Sequence, residues 1–143
     1  MVAVQGYPYV QLVPTRWNDN EDYGHVNNTV HYLAMDTVIN AWLIEHASLD
    51  IATGPTIGLC VESGFRYLAP VAYPDGMVLG LRISRLGTSS VRWEVAIERE
   101  SDGGRIAEGT FVHVFVDRHT RRPIAITAAM RAEMEPLVGP HAD

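Results

Sequence analysis

A group of carboxylates and helix-capping residues lies close together near the start of the chain. In order they are Asp19, Glu21, Asp22, His25 and the run Asn27-Asn28-Thr29. The unpaired N–H groups and the dipole at a helix start stabilise negative charge. A carboxylate beside such donors could attack a carbonyl carbon or deprotonate water, while the N–H groups hold the oxyanion. Acids before a helix are also commonly no more than dipole complements in a solvated loop, so the pattern alone leaves both interpretations open.

The other patterns that could do chemistry are weak. Cys60 is the single cysteine, so it cannot form an internal disulfide, and no base is placed beside it by the sequence. The histidines have no recognised metal-ligand spacing, and Glu62-Ser63-Gly64 lacks the context of a serine hydrolase. We therefore expect neither a metal ion nor a cofactor.

Length and composition indicate one globular domain over residues 1–143. Of the 143 residues, 47% are hydrophobic and 20% charged, which excludes a disordered protein. The formal net charge of −6 argues against nucleic acid as a partner. The sequence has no long apolar run and does not begin like a signal peptide, so we expect a cytoplasmic protein that does not bind membranes.

A long segment without Gly or Pro, residues 29–47, predicts a helix behind the acidic loop. Apolar residues cover most of its circumference, and only Asp36 and Asn40 mark a consistently polar strip. A helix that is apolar on most sides is normally buried. We therefore expect a strongly bent sheet to cover it.

Strand-like segments fill most of the remaining chain, which predicts the α+β class. One strand precedes the helix and a meander of four follows it, at residues 11–17, 57–69, 77–86, 91–99 and 106–116. We expect residues 1–10 to form a loose arm. Residues 127–143 are expected to form a short surface helix and a tail.

The acidic loop and the helix resemble the signature of a known family. Hotdog-fold acyl-CoA thioesterases, of the 4-hydroxybenzoyl-CoA thioesterase-like family, are similar to this chain in RWNDNEDYGHVNN, in VHYLAMDTVINAW and in the tail FVHVFVDRHTRRPIAI. The resemblance covers nearly the whole chain. It implies a hotdog fold, in which a five-stranded antiparallel sheet wraps around one long central helix. It also implies homodimers that pair edge to edge, often as dimers of dimers, with active sites at the subunit interface.

The resemblance implies catalytic roles for Glu21 and Asn28. In the family, a carboxylate before the glycine acts on the thioester carbon, and a backbone N–H at the helix start polarises the carbonyl. The chain departs from the family because Glu21 stands where Asp is usual. Either Glu21 works from a slightly different backbone, or Asp19 or Asp22 replaces it, or the protein keeps binding and loses rate. We favour the first explanation, because Glu has the same chemistry as Asp and loop backbones adjust.

Neighbouring residues of the loop have supporting roles in this interpretation. His25 either hydrogen-bonds across the site or pins the loop. Asn27 orients or caps, and Asp19, which matches an acid common in the family, holds the loop. Arg16 is the expected ion-pair partner of Asp19 or Asp22.

Basic residues are needed if the ligand is coenzyme A, because the molecule carries phosphates. Arg118, Arg121 and Arg122 form the densest basic cluster of this acidic chain, and Arg66 is a scattered alternative. We take these arginines as candidates for binding coenzyme A. Solvated arginines at the end of a strand would explain the same cluster.

The leading hypothesis is an acyl-CoA thioesterase, for which coenzyme A thioesters are the substrate. Glu21 would act as general base, or as nucleophile through a mixed anhydride, with the Asn28 N–H as oxyanion donor. The alternative is a non-catalytic module that binds acyl-CoA or an acyl carrier, and a hotdog hydratase is a weaker third possibility. The sequence does not fix the acyl chain, the choice between CoA and a carrier protein, or the number of subunits.

Overall fold

Five antiparallel strands and two α-helices form the protein, whose computed structural model describes residues 3–140. In chain order they are β1 (Tyr9–Pro14), α1 (Asn28–His46), β2 (Thr56–Tyr67), β3 (Gly76–Leu86), β4 (Ser90–Arg99), β5 (Arg105–Asp117) and α2 (Ala128–Met134). Short 3₁₀ turns lie at Trp17–Asp19 and Glu135–Leu137. The predicted α+β class and five-stranded antiparallel sheet are confirmed. No helix among the described residues is long and apolar enough to cross a membrane.

The strands follow the order β1-β3-β4-β5-β2 across the sheet. The prediction of a four-strand meander is therefore wrong for β2, which pairs with β5 at the far edge instead of with β3. The register runs from Thr56 opposite Asp117 to Tyr67 opposite Ala107. Residue alternation indicates that a segment is a strand but does not identify its partner, because partners are chosen by packing across the whole sheet.

One face of the sheet packs against α1 to form the core. Every second residue of β4 faces this core, and Val91, Trp93, Val95 and Ile97 are all buried there. Each such side chain stabilises the fold by about 2 kcal/mol through removal of apolar area from water. This core holds α1 against the sheet.

The sheet covers α1, a helix of 19 residues, on one side only. Met35, Ile39 and Leu43 are buried, whereas Leu33 and Ile44 keep 56% and 49% of their surface exposed. The expectation of a sheet that wraps around one long central helix is therefore not confirmed, because the sheet covers one face of α1. The five-stranded sheet leaves the other sides of this helix uncovered, so apolar surface remains exposed on the chain.

The N-terminal residues pack on the opposite face of the sheet. Val4 is buried against Val78 and Ala96, and the Tyr7 ring lies under the guanidinium of Arg82 at 4.3 Å. The prediction of a loose arm over residues 1–10 is therefore wrong for the described part, because apolar burial fixes it; Met1 and Val2 lie outside the described residues.

The second helix, α2, is not confined to the surface as the sequence suggested. Met130 and Met134 from α2, and Leu137 after it, are buried in the main core. The Gly139 N–H donates to the Ile83 carbonyl at 3.0 Å, which ties this segment to β3. The last part of the predicted tail, residues 141–143, lies outside the described residues.

Candidate active site

The acidic loop closes on itself immediately before α1. Asn20 and Val26 form an antiparallel bridge, and the Glu21 N–H donates to the His25 carbonyl at 2.9 Å. Gly24 turns the chain with φ of 83°, a conformation that costs glycine little, and its N–H donates to the Glu21 carbonyl. This hairpin returns Glu21 to the start of the helix.

Asn27 links the Glu21 carboxylate to the helix terminus. As the N-cap, its Oδ1 accepts from the Thr29 N–H at 2.9 Å and from the Thr29 hydroxyl at 2.7 Å. Its Nδ2 donates to Oε2 of Glu21 at 3.0 Å. One side chain therefore caps α1 and holds the carboxylate beside the positive end of the helix dipole.

His25 contacts the other oxygen of the same carboxylate. Its Nδ1 lies 3.6 Å from Oε1 of Glu21 and 3.2 Å from the carbonyl oxygen of Val26. Because a carbonyl only accepts, Nδ1 of His25 carries the proton in that contact. Glu21 keeps 29% of its side chain exposed, so it is supported on two sides and still open to water.

A cavity of about 200 Å³ lies next to the helix start. It is lined by His25, Val26, Asn28, His31, Tyr67, Ala69, Pro70 and Val71. The N–H of Asn28 has no hydrogen-bond acceptor among residues 3–140. The structure thus combines a cavity, a backbone donor without a partner and a nearby carboxylate. This arrangement suits the binding of a substrate carbonyl, whose oxygen could accept from the N–H. Neither Glu21 nor Asn27 is part of the lining; Glu21 contacts the lining residue His25, and Asn27 directly precedes the lining residue Asn28.

Two residues that the sequence interpretation missed hold the first turn of α1. The Tyr67 hydroxyl donates to the Asn28 carbonyl at 3.0 Å, and Nδ1 of His31 lies 3.2 Å from the same oxygen. The two rings stand edge to face, 5.0 Å apart. A histidine three positions after Asn28 was visible in the sequence, but the approach of Tyr67 depends on tertiary packing.

Asp19 has a structural position in the loop. The residue is only 5% exposed, and its carboxylate accepts from the Arg16 guanidinium at 2.9 and 3.1 Å and from the Arg16 N–H at 2.8 Å. Its carbonyl accepts from the Asn27 N–H at 2.9 Å. Both the side chain and the backbone of Asp19 therefore hold the loop, and Arg16 is the expected partner.

We expect Asp19→Asn to lower the free energy of unfolding by about 2 kcal/mol, since it removes charge-assisted hydrogen bonds to Arg16 around a buried group. Urea unfolding followed by circular dichroism measures this. Asp22→Asn, at the exposed neighbour, is the matched control and should change stability little. Equal effects from the two substitutions would contradict the structural role of Asp19.

The predicted arginine cluster is not part of the cavity lining in this chain. Nε of Arg118 donates to the Gly54 carbonyl at 2.6 Å, so this side chain braces the loop after α1. Arg121 and Arg122 are exposed in the turn after β5. This turn follows Asp117, roughly 35 Å along β2 from Tyr67 at about 3.3 Å per residue.

Arg66 is also placed apart from the acidic loop. It lies on the outer face of β2, and its guanidinium pairs with Glu108 on β5 at 2.8 Å. With 75% of the side chain exposed, the pair adds little stability. The proposed coenzyme A role of all four arginines stays a prediction.

No group of three or more His, Cys, Asp or Glu side chains within the described residues has a geometry that could hold a metal ion.

Comparison with known proteins identifies the family. The thioesterase-like superfamily matches residues 15–134. Among solved structures, the PA5185 protein from Pseudomonas aeruginosa strain PAO1 is 46% identical, with 96% of each chain covered and a TM-score of 0.91. The PA2801 protein from Pseudomonas aeruginosa is 30% identical, with 90% of this chain and 98% of that chain covered and a TM-score of 0.82.

A third structure contains a ligand. It is a thioesterase from Thermus thermophilus complexed with coenzyme A and zinc, 27% identical, with 94% of this chain and 97% of that chain covered and a TM-score of 0.77. No curated protein matches the chain. The family match includes the acidic loop, α1 and the whole of β2 to β5, and the chain belongs to the thioesterase-like superfamily.

Proposed function

We propose that the protein hydrolyses acyl-CoA thioesters to a free acid and coenzyme A. The observation that carries this proposal is that Asn28 lines the cavity and has an N–H without an acceptor among residues 3–140, while Asn27, the preceding residue, binds the Glu21 carboxylate. Membership of the thioesterase-like superfamily supports the reaction type. The coenzyme A bound to the Thermus thermophilus thioesterase supports the ligand class.

In the proposed reaction the thioester carbonyl oxygen accepts a hydrogen bond from the Asn28 N–H. Glu21 removes a proton from water as the water oxygen bonds to the carbonyl carbon. The tetrahedral oxyanion is stabilised by Asn28 and by the helix dipole. When the intermediate collapses, the C–S bond breaks and the coenzyme A sulfur leaves with its electron pair, taking up a proton from Glu21 or solvent. The variant route, direct attack by Glu21 to form a mixed anhydride, needs the same placement.

We further propose that two protomers pair through β2, which is an edge strand of 12 residues. Val61 in its middle is 59% exposed, and an unpaired edge with apolar residues favours strand addition. Antiparallel pairing about the middle of β2 brings the Asp117 end of one copy beside the Tyr67 end of the other. The arginines that follow Asp117 in the second copy would then flank the cavity, where they could bind phosphates.

A binding module without turnover is the second candidate. The observation that favours it is Glu21 itself, because the family usually has Asp at this position and a displacement of about 1 Å can cost about 100-fold in rate. Against it, the hydrogen bond from Asn27 fixes the longer side chain beside the helix terminus.

A thiol-release assay over short, long and aromatic acyl-CoA esters tests the proposal. We expect release of free coenzyme A, detected by a thiol reagent, for at least one ester. Calorimetric titration with the same esters is run in parallel. Saturable binding without thiol release for every ester would identify the protein as a binding module and overturn the hydrolase assignment.

A further inference from the structure

His31 is a buried polar side chain in the cavity, and its proton can be placed. The residue is 3% exposed, and Nδ1 lies 3.2 Å from the Asn28 carbonyl oxygen. Since the carbonyl only accepts, Nδ1 carries the proton and donates. Burial lowers the pKa of His31 below its ordinary value of 6.5, which favours the neutral ring. Nε2 of a neutral ring protonated at Nδ1 is an acceptor.

That acceptor is left without a partner by the described residues. Nothing within residues 3–140 donates to Nε2 of His31, and the rings of Phe65 and Tyr67 pack edge to face against the His31 ring. The one hydroxyl close by, that of Tyr67, already donates to the Asn28 carbonyl. A buried acceptor of this kind normally has a donor, from water or a ligand, because its desolvation is costly otherwise.

The cavity around His31 suits a small group with limited polarity. Val26, Ala69, Pro70 and Val71 form its apolar part. At about 30 Å³ for each water-sized group, its volume of about 200 Å³ holds roughly six or seven such groups. Asn28 lies in the same wall, so a group that fills the cavity is attached close to the carbonyl bound by the Asn28 N–H.

We propose that His31 determines specificity for short acyl groups that carry a hydroxyl, with Nε2 accepting a hydrogen bond from that hydroxyl. This inference rests on the proposed thioesterase function and names its substrate class. A site built to hydrogen-bond a hydroxyl discriminates against the analogue that lacks it, because the buried partner is then left unpaired.

The test compares kcat/KM for butyryl-CoA, 2-hydroxybutyryl-CoA and 3-hydroxybutyryl-CoA. For the parent protein we expect at least one hydroxyacyl ester to be favoured by about 5–10-fold over butyryl-CoA. His31→Phe should reduce this ratio to about one, whereas His31→Gln, which keeps an acceptor, should restore part of it. Circular dichroism establishes that each variant is folded.

Tyr67→Phe is the matched control for a merely structural effect. It removes the other hydrogen bond to the Asn28 carbonyl, so it should slow all three esters by the same factor and leave the ratio unchanged. The proposal is wrong if the parent shows no preference for a hydroxyacyl ester, or if His31→Phe slows all three esters equally. In either case His31 does not hydrogen-bond the hydroxyl, and we expect a crystal structure to show only an ordered water at Nε2. If no thioester is hydrolysed at all, the proposed function fails. The dissociation constants of butyryl-CoA and the two hydroxybutyryl-CoA esters, compared for the parent and for His31→Phe, then decide the role of His31.

Discussion

Glu21→Gln is expected to lower kcat for thioester hydrolysis by about 100-fold or more while leaving the fold intact. The amide is nearly the same shape as the carboxylate but cannot take a proton from water or form a stable acyl bond. Its carbonyl oxygen can still accept from Nδ2 of Asn27, so the loop and the helix cap should persist. The loss corresponds to about 3 kcal/mol of transition-state stabilisation. Steady-state thiol release with the best ester of the panel measures it, and circular dichroism monitors the fold.

Two further variants make the result specific to this carboxylate. Asp22→Asn removes an exposed acid next in the chain and should leave kcat close to that of the parent. Glu21→Asp keeps the carboxylate but moves it by one methylene, so its rate should fall between those of the parent and Glu21→Gln. A Glu21→Gln variant as fast as the parent would show that Glu21 is not the catalytic group, and a large loss in Asp22→Asn would transfer that role to its neighbour.

Several features of the acidic loop could be predicted from residue types alone. Capping residues predicted the start of α1, because capping depends on interactions between near neighbours in sequence. An oxyanion-binding role for this helix terminus stays a prediction. Asp19 was interpreted as a loop-holding residue and has that position in the structure, paired with Arg16. Asn27 performs both roles considered for it, since it caps α1 and orients Glu21.

Features that depend on strand order could not be predicted from residues that are near neighbours in sequence. Tyr67 reaches the first turn of α1 only because β2 lies at the sheet edge beside β5, and no local pattern encodes that placement. The same order places Arg118 away from the acidic loop of its own chain, although both were proposed from the sequence as parts of one binding site. His31 was rejected from the sequence as a metal ligand and was given no other role, because nothing in the sequence shows that Nδ1 is occupied by a backbone carbonyl.

A second buried histidine, His113, is expected to make the protein sensitive to acid. It lies on the core face of β5, where Nδ1 accepts from the Trp93 indole N–H at 3.1 Å and the Phe111 ring lies 4.6 Å away. An indole only donates, so Nδ1 is unprotonated and the ring is neutral. Burial lowers the pKa of His113 from 6.5 to about 4, because the charged ring would lose its hydration.

The sign of the effect follows from proton linkage. In the unfolded chain His113 binds a proton near pH 6.5, whereas in the folded protein it does so only near pH 4. As the pH falls from about 6.5 toward 4, the unfolded state therefore gains protons that the folded state does not, and stability decreases. The loss from this single residue should reach about 2 kcal/mol by pH 5 and about 3 kcal/mol by pH 4, at about 1.4 kcal/mol for each pH unit.

Urea unfolding at a series of pH values from 7 to 4 measures how the free energy of unfolding depends on pH. The substitution His113→Gln removes the titrating group itself. The glutamine carbonyl can accept from the Trp93 indole, so the variant should fold, with some stability lost at pH 7 to imperfect packing. Between pH 7 and 5 its free energy of unfolding should fall by about 2 kcal/mol less than that of the parent. His119→Gln, in the exposed turn after β5, is the matched control. If it flattens the profile as much as His113→Gln does, burial of His113 is not the cause of the acid sensitivity.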